Sequence, residues 1–186
     1  IGGGALAEES DGASSVNTPD VYSMNSMTEI LQWCERTGKS YWEYVKECED
    51  SDIWDYLQEV WKTMQNAVKR GLEQEGVLPG PLNLRRKAST YYIRASGYKQ
   101  SLQSRGLVFA YALAVSEENA SGGVIVTAPT CGSCGVMPAV LYHLAKSREF
   151  SDTRILRALA TAGLVGNIVK TNASISGAEV GCQGEV

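Results

Sequence analysis

The sequence predicts an all-α fold: a multi-helix domain with one short extended segment and an irregular N-terminal linker. Three observations predict it. Apolar residues recur at helical spacing in one stretch after another from position 26 onward. Two of those stretches open on a serine-x-x-glutamate pattern that caps a helix start. Only one β-branched run, Val124-Ile-Val-Thr127, is bounded by turn residues, and one such run makes a buried extended segment rather than a sheet.

Taken in order, Ile1-Gly-Gly-Gly and the acidic, small-residue stretch to position 25 show neither a period of 2 nor one of 3.6, which predicts a poorly ordered linker or the tail of a preceding domain. Ser26-x-x-Glu29 caps a short amphipathic helix carrying Met27, Ile30, Leu31 and Cys34 on one face, and Gly38 ends it. Ser40-x-x-Glu43 starts a second, with Tyr41, Tyr44, Val45 and Cys48 aligned. From about 52 to 74 the residues Ile53, Trp54, Leu57, Val60, Trp61, Met64 and Val68 hold a 3.6 period. Gly76-Val-Leu-Pro-Gly-Pro breaks that helix, because proline lacks the amide donor and glycine favours turns. Arg85-Arg86-Lys87 reads as a solvated loop or a helix start. Further helices are predicted over about 100–118, stopped by Gly122-Gly123, and over about 135–146 and 152–170. The last is apolar nearly all round, which predicts burial in the middle of the helical core.

The chain has 186 residues, 44% hydrophobic, with a formal net charge of −4, enough for one substantial core plus an appendage and without the basic excess that nucleic acid demands. Charged or polar residues interrupt every apolar run well short of the ~18 residues a membrane span needs. These features read as a cytoplasmic protein with no nucleic-acid or membrane partner. The five cysteines, Cys34, Cys48, Cys131, Cys134 and Cys182, are an odd number in a chain too long and apolar to need disulfide staples, so free thiols or metal ligands are the better reading. Both ends read as cut, the first residue being Ile1 and the last, Val186, following a glycine-rich run.

Two loops carry the candidate chemistry. Thr127-Ala-Pro-Thr-Cys-Gly-Ser-Cys-Gly135 leads into a helix, and small residues at a helix N-terminus let backbone amides cradle an anion such as a carboxylate. A tight turn with Gly for positive φ and Ser or Thr as cap explains the same residues about as well. The Cys131-x-x-Cys134 spacing invites a redox or metal reading, but two small buried thiols are the commoner meaning, and Cys182 and His143 are the remaining ligand candidates nearby. The second loop gathers Asn172, Ser174, Ser176, Glu179, Cys182 and Glu185 after an apolar helix, more polar function than solubility requires. Glycines 181 and 184 leave Cys182 sterically open.

The run Asn172-Ala-Ser-Ile-Ser-Gly-Ala-Glu-Val-Gly-Cys-Gln-Gly-Glu-Val186 resembles the signature of the bacterial iron-sulfur L-serine dehydratases. Gly76-Val-Leu-Pro-Gly-Pro-Leu82, Glu117-Glu-Asn-Ala120 and Thr127-Ala-Pro-Thr130 match in the expected order. Four separated motifs rarely agree by chance. The resemblance implies that residues 1–25 are the end of a beta domain and its linker, and that 26–186 are a helical alpha domain truncated before the remaining cluster ligands. It implies a lyase that converts L-serine to pyruvate and ammonia, in amino-acid degradation and gluconeogenesis. A four-iron, four-sulfur cluster held by three cysteines would leave one iron free as Lewis acid on the substrate hydroxyl.

Carried over by position, Cys182 corresponds to the first cluster ligand, the other two lying downstream of Val186, so the chain alone is expected to hold no intact cluster and to be inactive. Thr130, Ser133, Asn172, Ser174 and Ser176 are the expected substrate-binding residues. Some relatives have Asn and Ala in place of Cys131 and Cys134, which argues against those thiols as essential ligands. Lys170 is a weak candidate catalytic residue, better read as a solvated lysine at a helix end. His143 reads as a hydrogen-bonded mid-helix side chain. The implied partners are L-serine, the beta domain of the same enzyme and a second copy in a homodimer. The competing readings are a helical interaction or regulatory module built on Trp33, Trp42, Trp54 and Trp61, and a thioredoxin-like redox protein, which would need several strands.

Overall fold

The structure is a computed structural model that describes residues 21–127 and 131–172. Among the described residues it is all-α, with seven helices: α1 (Met27–Thr37), α2 (Tyr41–Cys48), α3 (Ile53–Glu73), α4 (Ala88–Ser96), α5 (Gln100–Ala120), α6 (Val136–Ser147) and α7 (Asp152–Asn172). No helix there is long and apolar enough to cross a membrane.

The predicted caps form. Ser26 stands in extended backbone and its Oγ accepts from the Glu29 amide at 3.3 Å, while the Glu29 carboxylate accepts from the Asn25 amide at 3.2 Å. Gly38, at φ 71, takes the left-handed conformation that closes α1, and its amide donates to the Cys34 carbonyl at 2.8 Å. At α2 the Ser40 amide and hydroxyl both donate to Glu43, and these bonds hold that carboxyl below its ordinary range.

Helix α5 is the centre of the arrangement, packing on α3, α4 and α6, while α7 lies against α2, α3 and α6. Small residues let α5 be approached on several sides. A Cβ on Gly71 of α3 would stand 2.2 Å from the Ala114 carbonyl oxygen, and one on Gly135 would stand 2.5 Å from the Ala112 oxygen. Gly106 is similarly pressed by the Ala95 methyl at 2.8 Å. The buried faces of α3 (Leu57, Trp61, Met64, Val68), α5 (Tyr111, Val115), α6 (Leu141, Tyr142) and α7 (Ile155, Leu159, Leu164) share one core. Full burial of each aliphatic side chain stabilises the fold by about 1.5–3 kcal/mol.

The tryptophans are spent internally. Trp61 is buried, Trp33 meets Tyr44 edge-on at 5.1 Å, and Trp42 meets Trp54 at 6.3 Å. The Arg157 guanidinium of α7 lies 4.1 Å from the Trp42 ring, tying α7 to α2. That use leaves the interaction-module reading without its anchors.

Four expectations need correction. Helix α7 buries only one stripe, Ile155, Leu159, Ala160 and Leu164, and leaves Val165 exposed, because its alanines and glycines are small rather than core-filling. Val124 is 70% exposed and residues 124–127 form no strand; Ile125 and Val126 alone reach the core. Helix α4 follows directly on Arg85-Arg86-Lys87, and its short, mixed sequence gave little periodic signal. Residues 21–25, expected to be loose, are docked: the Tyr22 hydroxyl donates to Glu49 at 2.6 Å, and Tyr22 and Met24 pack on the core.

Gly71→Ala should lower stability by about 1–3 kcal/mol through overpacking, despite alanine's better helix propensity. Gly163→Ala, where no atom of the described residues lies within 4 Å of the added methyl, should be neutral or gain up to about 1 kcal/mol. Thermal unfolding of the two variants checks the pair.

Candidate functional site

The Gly76-Val-Leu-Pro-Gly-Pro segment does more than end α3. Gly76 and Gly80 take φ of 98 and 118, and Asn83 takes 49, so the chain folds back on itself. Val77 and Arg85 form an antiparallel bridge, with the Leu78 amide donating to the Leu84 carbonyl at 2.7 Å and the Arg86 amide to Gly76 at 2.9 Å. The return leg delivers Arg86 to the C-terminal end of α5.

There Glu117 and Glu118, both about 5–6% exposed, end the helix in a polar node. Glu118 Oε2 accepts from Arg70 Nε at 3.0 Å, and Oε1 accepts from Arg86 Nη1 at 3.5 Å. Arg86 Nη2 donates to Ser121 Oγ at 2.6 Å, and that hydroxyl donates to the Glu117 carbonyl at 2.8 Å. The Glu117 carboxylate caps α4 from outside, accepting at Oε1 from the Lys87 amide at 2.6 Å and the Ala88 amide at 3.2 Å. Its Oε2 is buried and has no hydrogen-bond partner among the described residues. Arg86, expected in solvent, has a side chain only 7% exposed, because a buried carboxylate requires a paired cation.

The first candidate loop leaves this node. The Gly123 amide donates to the Glu118 carbonyl at 2.8 Å, and Arg70 Nη2 donates to the Val124 carbonyl at 2.6 Å. At the far end Asn119 Nδ2 donates to the Cys131 carbonyl at 3.3 Å, and Cys131 to Gly135 wind as turns into α6. Ser133 lies half-buried in that turn, at the entry to α6, as the sequence predicts. Cys134 is buried and Cys131 half-buried, and neither is in a disulfide among the described residues.

The second group sits at the end of α7. Asn172 donates through Nδ2 to the Asn25 carbonyl at 2.8 Å and to Ile168 at 3.0 Å, so its amide holds the 21–25 segment. Lys170 is exposed in the last turn of α7, on the rim of a cleft of about 300 Å³ that Tyr22, Glu49, Asn167 and Thr171 also line. Burial, and then Glu49, push the Tyr22 hydroxyl above its ordinary range. Thr130, Ser174, Ser176 and Cys182 lie outside the described residues. Among the described residues no three Cys, His, Asp or Glu side chains converge to hold a metal.

The chain matches, over residues 9–186, the family model described as serine dehydratase alpha chain. The chain belongs to that family. It is 44% identical to L-serine dehydratase 1 of Escherichia coli (strain K12), 42% to L-serine dehydratase of Haemophilus influenzae and 40% to L-serine dehydratase of Streptomyces coelicolor, in each case along its whole length. It covers 44%, 44% and 43% of those relatives, so it spans less than half of each. Family membership bears out the reading of the four motifs. The node of Glu117 and Glu118 falls on one of those motifs, yet its burial and its cationic partners were invisible in the sequence, where nothing distinguishes a helix-end glutamate in solvent from one inside.

His143, on α6, shares a 2.6 Å hydrogen bond with Ser104 of α5. Burial, and then Arg148, lower its pKa from the ordinary 6.5. The unfolded chain then takes up the proton more readily than the folded one, so stability falls as pH drops through about 6.5. His143→Gln, which keeps a hydrogen-bonding group near Ser104, should lose less melting temperature than the parent between about pH 8 and 5. Melting curves at both pH values decide it; parallel losses would count against the imidazole.

Proposed function

We propose that this chain forms part of the alpha domain of an enzyme that dehydrates and deaminates L-serine to pyruvate and ammonia. One observation carries the reading: similarity along the whole chain to several proteins named L-serine dehydratase. In the whole enzyme, residues 1–25 would join the helical domain to a beta domain, two copies would form a dimer, and the protein would act in the cytoplasm. The same assignment puts its chemistry in amino-acid degradation and in pyruvate supply for gluconeogenesis.

The described residues by themselves do not supply the three thiolates that a four-iron, four-sulfur cluster needs, since no metal-holding group converges among them. Our reading assigns one ligand to Cys182 and the others to the rest of the enzyme. Bound there, the cluster would supply a Lewis acid for the substrate hydroxyl. The chain's own contribution is to bind and orient the amino acid. Ser133, at the helix entry of α6, and Thr130, three residues earlier in the sequence, offer hydroxyls and backbone amides to the substrate carboxylate. Asn172, Ser174 and Ser176 offer carbonyl and hydroxyl acceptors to its ammonium. Lys170 stands at the carbonyl end of α7, where a cation is favoured without any catalytic task. The redox-protein alternative has no support in the fold, because the described residues contain no sheet.

The test uses the intact enzyme, reconstituted anaerobically with iron and sulfide and assayed for pyruvate from L-serine. Cys182→Ala should lose the cluster's visible absorbance and nearly all turnover. Asn172→Ala and Ser174→Ala should each lower kcat/KM by at least about tenfold, roughly 1.4 kcal/mol. Iron-free protein that turned over serine at full rate would overturn the cluster assignment.

A further inference from the structure

We propose that Glu118, acting with Arg70 and Asn119, is a positioning residue that sets the shape of the substrate-facing loop leading into α6; this rests on the proposed reaction with L-serine. The loop is fixed at both ends by consecutive residues of α5. At its start, the Gly123 amide donates to the Glu118 carbonyl at 2.8 Å, and the Glu118 carboxylate lies so close that a Cβ on Gly123 would stand 2.7 Å from Oε2. Arg70 bridges that carboxylate and the loop, one branch of its guanidinium on Glu118 at 3.0 Å and another on the Val124 carbonyl at 2.6 Å. At its end, the Asn119 side chain holds the Cys131 carbonyl at 3.3 Å. Beyond it, Gly135 touches α5 with no room for a side chain.

None of these groups needs to touch the substrate. Their chemistry is that of a clamp. A carboxylate buried at a helix end is held by a forked cation, and the cation's spare N–H binds the backbone of the segment to be placed. Arginine is required because only a guanidinium presents N–H groups to two acceptors in a fixed plane; an ammonium is a point charge and satisfies one at a time with good geometry. A clamp that places Ser133 and its neighbouring amides should express itself in substrate affinity more than in the chemical step, since a displaced loop weakens binding before it alters the reacting groups.

The experiment compares Arg70→Lys and Glu118→Gln with the parent in the intact, reconstituted enzyme. Arg70→Lys is the decisive variant, because Arg70 is 39% exposed and lysine keeps the charge beside Glu118 while losing the second branch. Its KM for L-serine should rise by about fivefold or more with kcat within about twofold. Alkylation of Cys131, followed by peptide mass spectrometry, should quicken by about threefold or more as the turn loosens, with the melting temperature nearly unchanged. Glu118→Gln should move both readouts in the same direction and also lower the melting temperature. An unchanged KM and unchanged alkylation in a folded Arg70→Lys enzyme would overturn the proposal, leaving the node a purely structural contact. If the parent enzyme proved inactive on L-serine, the proposed reaction would fall, and the alkylation rates alone would still decide for or against the clamp.

Discussion

The interaction on which the rest of this structure depends is the buried carboxylate of Glu118 between two arginines. Removing a carboxylate from water costs several kcal/mol unless cations and hydrogen bonds replace the solvent. Here the replacements come from distant places in the chain: Arg70 from the last turns of α3, Arg86 from the return leg of the 76–86 hairpin. The pair adds little net stability, because the desolvation of the charges offsets much of their attraction. What it does supply is a match of charges in this arrangement: Arg70 of α3 and Arg86 of the hairpin both meet the Glu118 carboxylate of α5. Glu117 extends the same constraint to α4, whose first amides it receives in place of a local capping side chain.

Close approach of backbones makes that meeting possible. Helix α5 presents alanines and a glycine where α3, α4 and α6 cross it, so main chains come close there, beside large side-chain contacts such as Tyr111 with Tyr142 at 4.9 Å. Such contacts tolerate no added atoms. They also fit a helix with no single apolar face, whose composition answers to three neighbours while Leu102 and Phe109 stay exposed.

Much of this was legible in the sequence. Six of the seven helices stood in the periodicity, and the two serine-x-x-glutamate starts and Gly38 marked their ends to within a residue or two. Family membership was legible for the same reason that motifs work at all: four runs of specific residues, in order, carry far more information than composition. What the sequence withheld were the long-range pairings. Arg86 looks like one of three solvated cations until the hairpin turns it inward, and nothing in the sequence joins the Asn172 amide to the Asn25 carbonyl, 147 positions away. The amphipathic signal failed at α4, which is short, and at α7, where small apolar residues imitate a buried helix while covering little surface.

The node also dictates an order of assembly. Three ties on the segments flanking residues 128–130 come from residues anchored elsewhere: Arg70 of α3, and Glu118 and Asn119 at the end of α5. The Arg70 tie is the long-range one: Arg70 and Glu118 stand 48 positions apart, so the bond to the Val124 carbonyl forms only once α3 and α5 have docked, and the start of the segment leading to α6 inherits its course from that meeting.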